Sequence, residues 1–152
     1  MGHFKAACAA GASVLALVVA SPAAAATTCH PISGEGQTFA TGPTTFAGTV
    51  TGALGGDPFS SSVITTVTSA PHPAGASGVL FATTSHTIAL PTGTVTTSDS
   101  ARLIPTGEPG LYRIVAQGTV VAGGSGQMVL NGTVDLVGGS TQFQVHGAVC
   151  GG

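Results

Sequence analysis

The chain has 152 residues, of which 5% are charged, and its formal net charge is −2. Ordinary soluble domains carry roughly 25% charged residues, and three Lys and Arg residues in all exclude a basic surface for nucleic acid. A hydrophobic content of 43% excludes disorder driven by charge and polarity, and the length fits one domain.

Residues 1–26 read as a secretory signal peptide. Lys5 supplies a basic start, Ala6 to Ala20 an apolar run, Ser21-Pro22 a break, and Ala23 to Ala26 small residues for cleavage. A membrane-spanning helix needs about 20 apolar residues. The run is shorter, so no membrane span is expected once the signal is removed, and the mature protein is expected to be secreted or periplasmic. Cys8 leaves with the signal.

Cys29 and Cys150 remain, near the two ends of the mature chain. An oxidising compartment suggests that they pair as a disulfide. A redox thiol or a metal site is the alternative, but no C-x-x-C is present and His30 is the only ligand type beside Cys29. Residues 27–36 are expected to form an N-terminal segment tied by Cys29, followed by a barrel domain over 37–152.

The mature chain reads as strands and turns. A weak strand is expected near Gln37–Ala40. Alternation then puts Phe46, Val50 and Leu54 on one face, and Phe59, Val63 and Val67 on another. Residues 79–90 are strand-like but apolar on both parities. Val95, Thr97, Asp99, Ala101 and Leu103 share a face, as do Tyr112, Ile114, Ala116, Gly118 and Val120. Met128, Leu130, Val134 and Leu136 repeat the pattern, and Phe143, Val145 and Val149 close it. Gly- and Pro-rich turns separate the runs. No segment has a capped helical period, so helix content should be small. The expected fold is all-β: one domain, an eight-stranded antiparallel up-and-down barrel. Closure is favoured because sheet edges are usually guarded by charge, and Lys is absent after Lys5. Gly inside the strands allows tight coiling.

Several stretches carry a family resemblance. They are His86-Thr87, Thr94 to Asp99, Tyr112, Val121 to Gly126, Gly132 to Leu136 and Gly147 to Cys150. Over roughly residues 37–150 the chain resembles small exported bacterial proteins of the allene oxide cyclase-like barrel type, a fold shared by dirigent proteins. The most specific piece is Gly123-Gly124-Ser125-Gly126, where such proteins carry a Gly-Gly-Thr-Gly turn. The resemblance implies an eight-stranded antiparallel barrel that handles small apolar molecules without a cofactor, and it leaves room for a homo-oligomer. Catalytic residues of the plant cyclases do not align and none are carried over.

Few polar residues could do chemistry. His86 shares parity with Leu80, Ile88 and Leu90, and Asp99 with Val95 and Leu103. With a turn centred on Thr92–Gly93, His86 faces Asp99 or its neighbour, close enough to interact. A carboxylate that fixes a histidine's tautomer is a setting for acid–base work; the bland reading is a buried pair that fixes register. His86 and Asp99 are thus the candidate catalytic residues. Tyr112 and Met128 from the alternating runs, and Phe81 from the two-sided run, are the candidate ligand contacts. His146 is expected to face outward, and His30 and His72 lie in terminal or Pro-rich segments. Without H-x-H or H-E-x-x-H no metal site is expected. Ser60 to Ser62 lack a G-x-S-x-G context. Arg102 and Arg113 are expected near the 105–110 turn with Glu108 as partner, and Asn131-Gly132-Thr133 fits a glycosylation sequon inside a strand. Three functions stay open: a lumenal binder of a small apolar or aromatic molecule, a cofactor-independent cyclase or isomerase, and an inert structural protein with a packed lumen.

Overall fold

The computed structural model describes residues 27–73 and 75–151; the expected signal peptide, with Cys8, lies outside them. Eight strands follow one another: β1 (Thr28–Ala40), β2 (Thr45–Leu54), β3 (Asp57–Pro73), β4 (Leu80–Leu90), β5 (Gly93–Pro105), β6 (Leu111–Ala122), β7 (Ser125–Asp135) and β8 (Ser140–Gly151). Each pairs antiparallel with the next, and β1 pairs with β8, so the sheet closes into a barrel without an edge. This is the expected architecture. A short 3₁₀ turn, Gly75–Ser77, is the helical piece among the described residues, and no helix there is long and apolar enough to cross a membrane.

Side-chain alternation builds the inside. On β5, Val95, Thr97, Asp99, Ala101 and Leu103 are buried while the residues between them face out. Ile32, Val50, Val63, Ile88, Val120, Met128 and Val145 join Val95 in one core. Each such side chain contributes about 1.5 to 3 kcal/mol when fully buried. The turn between β2 and β3 is Gly55-Gly56, both at positive φ (63° and 98°), closed by the pair Leu54 and Asp57. Two residues at positive φ match the twist of the strands they join, and Gly adopts them without steric cost.

The barrel has two unlike ends. One carries the turns at 55–56, 91–92 and 123–124 together with the Cys29–Cys150 disulfide. The other carries the connections 41–44, 75–79, 106–110 and 136–139. Bulky residues fill the lumen towards the disulfide end.

β1 differs from expectation. Segment 27–36 is not a separate tether: β1 begins at Thr28, and Cys29 sits directly opposite Cys150. Its polar first half hid it, since only Ile32 and Thr38 are buried along the strand. Ladder pairing to β2 and β8 together holds it. The expected pairing of Arg102 and Arg113 with Glu108 is also absent. Arg102 lies over the ring of Phe81 on the outer face, 5.8 Å from its centroid, and Arg113 stands outward on β6 opposite Thr133 of β7.

The disulfide links residues 121 apart in sequence. Replacing both cysteines with serine is expected to cost about 3 to 5 kcal/mol through restored freedom of the unfolded chain. Equilibrium urea unfolding checks this, and a loss well under 1 kcal/mol would mean that the β1–β8 ladder closes the barrel unaided.

Candidate functional site

The lumen near the end opposite the disulfide is not filled. Register explains why. Ala82 of β4 lies beside Ala101 of β5, and Ala101 beside Ala116 of β6. Three small side chains in one row leave a cavity of about 70 Å³. Leu103, Leu130, Val134 and Phe143 wall it, and Phe46, Val67, Pro71 and Leu136 lie along its mouth side. Thr84 and His86 are its polar lining on β4.

One row deeper, Thr84, Asp99, Gly118 and Met128 lie side by side on β4, β5, β6 and β7. A Cβ on Gly118 would overlap the Asp99 carboxylate, so the missing side chain is what gives Asp99 its place. His86 comes one step further along β4. Its Nδ1–H donates to Asp99 Oδ2 at 2.8 Å, and Thr97 Oγ1–H donates to the same oxygen at 2.7 Å. The backbone N–H of His86 reaches Thr97 Oγ1 at 3.4 Å, which completes a ring of hydrogen bonds. The Asp99 side chain has no exposure, and that of His86 is 8% exposed.

This geometry assigns roles. The carboxylate takes the Nδ1 proton side of the ring, so the neutral imidazole presents Nε2 as an acceptor. Nε2 has no hydrogen-bond partner among the described residues, and the His86 ring is what reaches the cavity. Phe143 lies on another side, with ring centroids 6.5 Å apart. Thr84 Oγ1 is buried and unpaired, as is Asp99 Oδ1. An unpaired buried polar atom is costly unless something satisfies it. The cavity therefore has largely apolar walls, with His86 Nε2 and Thr84 Oγ1 on β4 and the hydroxyls of Thr65 on β3 and Thr141 on β8 as its polar atoms. It can hold a compact apolar group and bond one polar atom of it. At Nε2 a proton could also be received or returned.

His86 and Asp99 are brought together, but diagonally. The β4–β5 turn is Pro91-Thr92, one residue earlier than the turn centre read from sequence, so Asp99 sits opposite Thr84. The three expected ligand contacts are not in the cavity wall. Phe81 is on the outward parity, 38% exposed, because Ala82 takes the inward one. Met128 is fully buried in the row of Asp99, packed within the core and outside the cavity lining. Tyr112 is half-buried and packs against the core beside Pro105 and Val134, without lining the cavity. His146 faces outward as expected, opposite Val129. Alternation alone puts Thr97, Ala101 and Ala116 on the inward face, but it does not single them or Thr84 out as parts of a site. A turn centred one residue earlier would have aligned Ala82 with Ala101.

No protein-family model, curated protein or solved structure matches this chain.

His86→Leu should cost about 3 to 5 kcal/mol, since it leaves a buried carboxylate with Thr97 alone. The double variant His86→Leu/Asp99→Leu should recover most of that loss, because no buried charge remains. Urea unfolding of both variants tests the pair, and equal losses would show that Asp99 does not depend on His86.

Proposed function

We propose that this chain is an exported barrel whose lumen binds a small apolar or aromatic molecule without a cofactor. The carrying observation is the space left by Ala82, Ala101 and Ala116 beside His86. Apolar walls with one or two convergent polar atoms are the usual make-up of a small-molecule site. Size limits the ligand. An apolar cavity of about 150 Å³ takes a benzene, and this one measures about 70 Å³. A ring thus enters by its edge, or a short branched chain by its tip. The rest of the molecule lies in the mouth between Phe46, Val67, Pro71 and Leu136. A hydroxyl on the inserted end would donate to His86 Nε2, and a carbonyl would accept from Thr84 Oγ1–H. The disulfide and the signal-like start support export, and the barrel supports the allene oxide cyclase-like resemblance at the level of fold.

A second reading is a cofactor-independent cyclase or isomerase. One observation favours it: a histidine whose Nδ1 is fixed by a buried carboxylate while Nε2 stays free. In that reading His86 moves a proton at Nε2 and Asp99 orients the ring. Apolar walls exclude water and hold one conformation of a reactive substrate.

The test is thermal unfolding with indole and with phenol as probes, alongside mass spectrometry of small molecules that co-purify with the exported protein. A ligand that binds the folded state raises its apparent stability. Ala116→Leu fills the cavity and is expected to abolish the rise while leaving the barrel folded. If neither probe shifts the wild type and nothing co-purifies, the lumen is shut and the barrel is structural.

A further inference from the structure

We infer a second binding site on the outside of the barrel, for an extended uncharged polysaccharide, in a trough that crosses β2, β1, β8, β7 and β6. The trough has a volume of about 880 Å³ and shares Ile114 and Phe143 with the wall of the alanine-lined cavity.

Its shape comes from missing side chains. Gly36 of β1 and Gly132 of β7 flank Phe143 of β8 in register. A Cβ on Gly36 would overlap the Phe143 ring, and one on Gly132 would overlap the backbone of Gln142. With no inward side chain at those two positions the strands close on Phe143, and the outer face over them carries the hollow.

Register then lines the hollow. One row runs Thr49, Gln37, Gln142, Thr133, Arg113 across the five strands. The next runs Thr51, Glu35, Gln144, Asn131. Adjacent strands lie about 4.8 Å apart, so the first row is roughly 19 Å long and the second roughly 14 Å, and the rows are about 7 Å apart. The Gln, Asn, Glu and Arg side chains are all exposed, and none of the nine takes part in a side-chain hydrogen bond among the described residues. The chain has five glutamines and one asparagine, and three of the former and the latter stand here.

This chemistry selects its partner. Amides and hydroxyls both donate and accept, which suits sugar hydroxyls. One Glu and one Arg give no net charge, which disfavours nucleic acid and other polyanions. A peptide strand would need a free sheet edge, and the barrel has none. The polar rows offer little to an apolar molecule. An extended glycan of pyranose units repeats at about the spacing of neighbouring strands, so successive sugars meet successive side chains along a row.

Backbone and side-chain amide NMR shifts of the oxidised protein, titrated with cellohexaose, xylohexaose and chitohexaose, test the site. Saturable shifts are expected for at least one sugar, in β1, β7 and β8 and in the side-chain amides of Gln37, Asn131, Gln142 and Gln144. Gln142→Ala/Gln144→Ala changes exposed positions only and should weaken that binding about tenfold or more. Ala116→Leu, which fills the lumen, should leave it unchanged, so failure of the lumenal reading and failure of this one are separable. The inference is overturned if none of the three sugars shifts these amides at millimolar concentration, if shifts cluster at the lumen mouth instead, or if the double variant binds as the wild type does.

Discussion

The seam between β1 and β8 decides whether this molecule has an inside. Twelve residues of β1, from Thr28 to Phe39, pair with β8, while the same strand pairs on its other side with β2. Without that seam the sheet would present two bare edges. A charged protein can guard such edges with lysine, and this chain cannot. Closure is therefore both a folding solution and protection against association. The disulfide sits within the seam at its outermost rungs, where strand ends fray first. It acts where ladder hydrogen bonds alone are weakest.

Once the sheet is closed, the inward parity of each strand becomes a volume problem. At the disulfide end the solution is bulk: Leu54, Phe59, Ile88, Leu90 and Val149 fill the space. At the other end the alanine row leaves a gap. Between the two regions lies Asp99, the one buried carboxylate among the described residues. Placing it there is expensive, and the fold offsets the cost with two short hydrogen bonds to a single oxygen. An apolar pair of similar volume would hold the barrel at least as well. The polar ring is thus difficult to explain by stability alone. It does orient one imidazole towards the gap, which a hydrophobic pair would not do.

Much of this was legible in the sequence because a strand's period is two. On β5 and β6 the alternation runs uninterrupted, and the inward sets read from the sequence are the inward sets of the barrel. The same signal fails where both parities are alike. In β4 the apolar Phe81 competes with Ala82 for the inside, and the larger residue lies outside, where Arg102 covers its ring. In the first half of β1 neither parity is apolar, so the strand is specified by its neighbours rather than by its own residues. Register is subtler still. Pro91-Thr92 and Thr92-Gly93 are both plausible turn centres, and the choice moves Asp99 from opposite His86 to opposite Thr84. Where one parity is clearly apolar the pattern sets which face each residue takes; the closed ladder sets who meets whom.

Alternation also lets the two faces of one strand serve different chemistry. On β8, Phe143 and Val145 face the lumen while Gln142 and Gln144 face solvent. On β7, Leu130 and Val134 face in while Asn131 and Thr133 face out. The glycines couple these surfaces. Gly36 leaves room for the Phe143 ring on the lumen side and lies under the trough on the other, so the same missing side chain serves both surfaces. A bulkier residue there would have to push the strands apart or rotate Phe143 into the cavity. The lumen's shape and the trough's depth are consequently set by one group of backbone positions. Apart from Ile114 and Phe143, which line both, the side chains that face them belong to opposite parities and can vary independently.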